Sequence, residues 1–190
     1  MPDSNLRPGQ SEPKWRLASV QPGSRIPESL RGWLLDEGSL TRLVIGNCSG
    51  RFRVQVLSQR WGRPLPSERR ALGMSPAGSA FIREVELYCG DRPWVFARTL
   101  IPASTLRGGA RRLAHLRDRP LGAVLFADPK VQRGEMEVAR LLPRHRLFRE
   151  AVERLERPPE SLWGRRRLFY MEQKPLLVNE IFLPDLPEFR

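Results

Sequence analysis

Three charged residues stand where strands ought to be apolar. In KPLLVNEIFLP, residues 174–184, alternation places Leu176, Val178 and Phe182 on one face of a predicted strand, and Glu180 falls on that same face. In AFIREVELY, Phe81, Val85 and Leu87 share a face with Arg83. In WVFARTLI, Trp94, Phe96 and Leu100 share a face with Arg98. A lone charge among large apolar side chains is costly unless it has a partner or a ligand. Two cations and one anion so placed suggest a closed, charged pocket. One reading is an internal ion pair, Arg83 with Glu84, Glu86 or Glu180, because buried arginine is usually paired. The other keeps an arginine for a ligand carboxylate, which its planar fork binds through two charge-assisted bonds.

The elements that must position these residues follow from periodicity. Residues 1–25 read as a loose N-terminal arm, since Pro2, Pro8, Pro13 and Pro22 discourage regular structure, although Trp15 and Leu17 are able to dock on the body. Leu30, Trp33 and Leu34 have the spacing of an amphipathic helix. Gly38 ends it, and Ser39 caps a second short helix with Leu40, Leu43 and Val44. Phe52, Val54 and Val56 alternate as a strand, and GRPLPSERRALGMSPAGS then reads as a polar surface loop. Strands over 80–88 and 94–101 are joined by a short Gly- and Pro-containing connection.

The stretch 102–126 is helical in character. Pro120 opens its last piece, leaving the Leu121 and Gly122 amides free at a helix start, where anions bind readily. Glu135–Ala139 alternates weakly, Arg146–Glu156 reads as a helix, and Arg165–Met171 with Pro175–Leu183 form a terminal hairpin around Glu172, Gln173 and Lys174. Strands joined by hairpins, with helices in separate groups, predict an α+β fold: a single antiparallel sheet with helices packed on it in one domain over 26–190.

The bulk numbers bound the function. With 190 residues and 40% hydrophobic content the chain supports one sizeable core. No apolar run approaches the ~20 residues that span a bilayer, and the polar N-terminus has no signal-peptide core, so a cytoplasmic protein without membrane insertion is expected. Cys48 and Cys89 are expected to be reduced thiols. The net charge of +12 raises the nucleic-acid question, but the arginines are spread along the chain with no recognition helix or RNA-binding signature, so no nucleic-acid partner is expected. A basic protein also attracts small anionic substrates. His115 and His145 have no ligand-spaced neighbours, and no Gly-rich nucleotide loop or nucleophile elbow occurs, so no metal and no cofactor are expected.

At these residues the chain resembles the chorismate pyruvate-lyase family. The matching segments are LLDEGSLTRL, IREVELYCGDRPWVFARTLIPASTL, RPLGAVLF, SLWGRRRLF and KPLLVNEIFLP, in the family's order over most of residues 30–184. The resemblance implies a cofactor-independent lyase that converts chorismate to 4-hydroxybenzoate and pyruvate, the first step towards ubiquinone, beneath helical flaps that enclose the product. It implies that Arg83 grips the ring carboxylate, that the backbone amides of Leu40 and Leu121 touch the ligand, and that Glu180 meets the ring hydroxyl. Gly122 joins Leu121 as a carboxylate-binding amide, and Arg98 is expected to support the site, holding the enolpyruvyl carboxylate or a neighbouring acid. Leu40 stands where the family often has Met, which a backbone contact tolerates. A monomer is expected. Some transcription regulators use the same fold as an effector-sensing domain, so a small-aromatic-acid-binding module without turnover is the alternative.

Overall fold

The computed structural model describes residues 11–20, 26–107 and 109–189. Its strands are β1 (Arg16–Leu17), β2 (Phe52–Gly62), β3 (Ala80–Cys89), β4 (Arg92–Pro102), β5 (Gln132–Leu141), β6 (Leu162–Met171) and β7 (Lys174–Phe182). Its helices are α1 (Glu28–Leu35), α2 (Leu40–Asn47), α3 (Pro66–Ala71), α4 (Ala103–Leu106), a 3-10 turn over Gly109–His115, α5 (Leu121–Ala127) and α6 (Arg146–Val152). The fold is α+β, as the hairpin spacing predicts.

All seven strands lie in one antiparallel sheet, in the order β1-β5-β6-β7-β4-β3-β2. Two three-stranded meanders, β2–β3–β4 and β5–β6–β7, therefore meet along β4 and β7. The chain joining them carries α4, the 3-10 turn and α5 over one face. Leu113, Leu121 and Leu125 there pack on Ile101, Phe169 and Val178 of the sheet. Helices α1 and α2 cover the rest of that face, burying Trp33, Leu34, Leu40 and Val44 against Val85, Leu87 and Phe182. Helix α6 packs on the far face, with Leu147 and Phe148 against Phe96 and Ile181.

Register decides which side chains share a face. The β6–β7 hairpin turns through Glu172 and Gln173, both at positive φ (49° and 62°), as a two-residue turn of the primed type requires. Counting back from Met171 opposite Lys174 sets Arg165 opposite Glu180 and Arg167 opposite Val178. In the β3–β4 hairpin, Tyr88 opposes Pro93 but Leu87 opposes Val95, so Trp94 is an extra residue on β4. A one-residue slip turns every later side chain to the other face. Without it Arg83 would oppose Arg98; with it Arg83 opposes Thr99, and Arg98 opposes Glu84.

Three expectations need correction. The loop after Trp61 contains α3, whose first turn is closed by the Glu68 carboxylate accepting from the Leu65 amide at 2.8 Å. The helix expected over Arg146–Glu156 ends at Val152. Cys48 and Cys89 form a disulfide with a Cα–Cα distance of 5.6 Å, because the end of α2 packs on the end of β3.

The arm expected over residues 1–25 falls partly outside the described residues, at 1–10 and 21–25. Residues 11–20 lie on the body. Arg16 and Leu17 extend the sheet edge at β5, and Glu12 accepts from the Ser67 amide and hydroxyl at 2.9 and 2.7 Å, satisfying an amide at the start of α3.

Candidate functional site

A narrow cavity lies between the sheet and the ends of α2 and α5. Its walls include Leu40, Thr41, Arg83, Thr99, Leu121, Gly122, Phe126 and Glu180. The register explains the grouping. Arg83 opposes Thr99, Thr99 opposes Val178, and Ala97 opposes Glu180, so these side chains leave the same face on three adjacent strands. The starts of α2 and α5 close the cavity from above. They approach so nearly that a Cβ on Gly122 would sit 3.0 Å from the Thr41 hydroxyl and 3.5 Å from that of Ser39.

Arg83 is 2% exposed. One of its terminal nitrogens donates to the carbonyls of Arg117 and Arg119 at 2.8 and 3.1 Å, just before α5. Its Nε is buried without an acceptor. No carboxylate among the described residues forms a salt bridge with it. Burial pulls its pKa down from the ordinary guanidinium value, and the charge of Asp118 pushes it back up. It remains a cation with bonding capacity unused, in a cavity. That is the condition for capturing an anion.

Glu180 is held differently. Arg165 donates to it from Nε at 2.6 Å and also reaches the carbonyls of Trp33 and Asp36 at 2.9 and 2.7 Å. The acid is thus paired and tied to the chain between α1 and α2. Arg165 was legible in the sequence only as part of an arginine cluster beside Trp163.

A smaller lobe adjoins the cavity and shares Leu40, Phe126, Phe169, Val178 and Glu180 with it. Gly38, Met136, Arg165 and Arg167 complete its walls. Arg167 pairs with Glu37, yet its own Nε is buried without an acceptor.

Arg98 is not at this site. The bulge at Trp94 sends it to the far face, where it bonds Glu68 at 3.0 Å, pairs with Glu84, and lies 3.4 Å from Glu150. Asn179 also donates to Glu68, at 3.2 Å. Burial raises the pKa of Glu68 despite Arg98; burial also opposes the charge on Arg98, but the surrounding acids outweigh it and raise its pKa. The expected role for Arg98 beside the ligand is therefore replaced by a structural one: it neutralises carboxylates under α3 and α6. Leu40, Arg83, Leu121, Gly122 and Glu180 all line the cavity, and Thr41, Thr99 and the phenyl rings of Phe126 and Phe169 join them. Among the described residues no group of three metal-capable side chains converges.

The site can therefore hold a flat ring between apolar walls, with a carboxylate at Arg83 and a polar group at Glu180. Solved structures share the fold. PhnF from Mycobacterium smegmatis aligns with a TM-score of 0.58 at 13% identity, covering 82% of this chain and 68% of that one. A GntR-family transcriptional regulator from Enterococcus faecalis aligns with a TM-score of 0.53 at 17% identity, covering 75% and 98%. Sequence relatives are nearer. A probable chorismate pyruvate-lyase from Nitrosomonas europaea is 39% identical over 172 residues, spanning 90% of this chain and 94% of the relative. Another, from Aromatoleum aromaticum, is 43% identical over 171 residues, spanning 88% and 91%. Residues 16–188 match the family described as chorismate lyase, and the chain belongs to that family.

Proposed function

We propose that the chain converts chorismate to 4-hydroxybenzoate and pyruvate without a cofactor. The observation that carries this reading is Arg83, a buried cation with an unused Nε in a ring-sized slot opposite a paired acid. The relatives' names point to the same reaction.

In this reaction the hydrogen on the hydroxyl-bearing ring carbon leaves as a proton. Its electrons complete the aromatic ring, the neighbouring C–O bond breaks, and the enolpyruvyl fragment becomes pyruvate by taking a proton on its methylene carbon. Aromatisation supplies the driving force, so the protein's task is to hold a reactive geometry and stabilise charge. Arg83 receives the ring carboxylate, with the Leu121 and Gly122 amides beside it. Leu40 presents its amide from the start of α2. Glu180 orients the ring hydroxyl and is placed to accept a proton, while its ion pair with Arg165 keeps it aimed. Phe126, Phe169 and Val178 exclude water. We place the reaction in the cytoplasm, as the step that commits chorismate to ubiquinone.

Incubating the purified protein with chorismate, without added metal, tests the reading. Equimolar 4-hydroxybenzoate and pyruvate are expected. Binding of 4-hydroxybenzoate with no pyruvate released would leave a sensing module in place of an enzyme.

A further inference from the structure

Pairing along the outer edge of β5 is interrupted. Arg16 and Leu17 of β1 oppose Val138 and Glu137, and the next link towards the N-terminus is a single bridge between Ser11 and His145. The segment between, residues 12–15, is drawn off the edge by anchors that converge on Ser67 of α3. Glu12 accepts from the Ser67 amide and hydroxyl, and the Trp15 ring lies 4.7 Å from the Arg166 guanidinium, itself 3.4 Å from that hydroxyl. The gap left behind is a groove of about 570 Å³, a size common among small-molecule sites. It shares no wall residue with the cavity at Arg83.

Lys14, Arg16, Arg140 and Arg144 stand around this groove, and Trp163 forms part of its floor. None of the four cations has a salt-bridge partner among the described residues. The acid in the walls, Glu12, is occupied by Ser67. Like charges gathered in this way repel one another, and a bound anion relieves that repulsion. His145 adds a neutral donor. It is 4% exposed, burial and the charge of Arg144 lower its pKa, and its Nδ1 accepts from the Leu142 amide at 2.9 Å. The hydrogen therefore sits on Nε2, the nitrogen left to a ligand.

We infer that this groove binds a small, multiply charged anion: an oligophosphate carried on an apolar body. Arginine forks and a lysine ammonium suit phosphate oxygens, and the Trp163 floor suits the uncharged part. An added strand from another protein suits it less. The arm is paired to β5 at one end of the gap and bridged to His145 at the other, so the span is closed and favours a compact ligand. The lyase reading stands apart from this groove, since the two sites have no wall in common.

The test titrates ATP, without magnesium, and inorganic tripolyphosphate into the full-length protein by calorimetry. ATP is expected to bind one-to-one and severalfold more tightly than tripolyphosphate. The double variant Arg140→Gln with Arg144→Gln should weaken ATP binding at least tenfold. Arg154→Gln with Arg157→Gln removes the same charge from exposed positions after α6 and should weaken it less than twofold. All four positions are exposed, and an unchanged melting temperature certifies the fold of each variant. Saturating 4-hydroxybenzoate should leave ATP affinity as it is. Absence of ATP binding, or an equal loss in the two double variants, would overturn the groove as a site, the equal loss marking attraction to net charge alone. Displacement of ATP by 4-hydroxybenzoate would overturn it too, by placing the ligand in the cavity at Arg83. Equal affinity for ATP and tripolyphosphate would overturn the role of the apolar floor. Chorismate turnover is assayed separately, so failure of the lyase reading is distinguishable from failure of this one.

Discussion

Arg165 joins Glu180 to the cavity roof. Its Nε donates to the Glu180 carboxylate at 2.6 Å, and a terminal nitrogen of the same guanidinium reaches Trp33 and Asp36 carbonyls at 2.9 and 2.7 Å. The acid in the cavity wall and the turn leading into α2 therefore answer to one cation. Whatever meets Glu180 also bears on how α2 sits over the site.

Glu180→Gln keeps a hydrogen-bonding side chain and removes the charge. Charge-assisted bonds are about twice as strong as neutral ones, so 4-hydroxybenzoate should bind severalfold more weakly. In steady-state assays with chorismate, kcat should fall at least tenfold. An undiminished kcat would strip Glu180 of any base role and leave it as an orienting group.

Gly122→Ala tests the closure between α2 and α5. The new Cβ meets the Thr41 hydroxyl at 3.0 Å, so the helix starts must part by a few tenths of an ångström. Stopped-flow measurement should show faster dissociation of 4-hydroxybenzoate with little change in melting temperature. An unchanged off-rate would mean that the roof does not govern release.

Arg98→Met separates structure from function. Removing the cation leaves the buried Glu68 without an ion-pair partner beneath the far-face helices, while Glu84 keeps Arg60 and Glu150 keeps Arg146; breaking a buried pair in this way costs about 3–5 kcal/mol. Melting temperature should fall by roughly 6–20 °C for a chain of this size. Ligand affinity of the folded fraction should not change; a selective loss of affinity with normal stability would return Arg98 to the site.

The error over Arg98 marks the limit of what alternation can tell. Within β3 and β7 the period of two correctly grouped Arg83 with Val85 and Glu180 with Val178, because each strand is regular through those residues. Relating one strand to the next needs register, and register on β4 depends on a single extra residue at Trp94. Nothing local announces that bulge. Arg165 is a related case. The terminal hairpin was recognisable, but read around Glu172, Gln173 and Lys174 its turn is one residue too long; only the two-residue turn at Glu172–Gln173 pairs Arg165 with Glu180 and puts Arg167 on the same face. The disulfide escaped because Cys48 ends a helix and Cys89 a strand, and only the packing of α2 on the sheet brings them together.

That disulfide closes a sequence separation of 41 residues and ties the end of α2 to the β3–β4 hairpin. On chain-entropy grounds it contributes about 2–4 kcal/mol. Urea unfolding with and without reductant should show a lower midpoint when reduced. Coincident curves would mean that the link adds nothing to the folded state.

The central claim is that Arg83 is kept for a ligand carboxylate. Titration of 4-hydroxybenzoate into wild-type protein and Arg83→Ala by calorimetry tests it. Loss of one partner from a buried charged contact costs about 3–5 kcal/mol, so affinity should drop at least a hundredfold in the variant. Equal affinity in a folded Arg83→Ala protein would contradict the account.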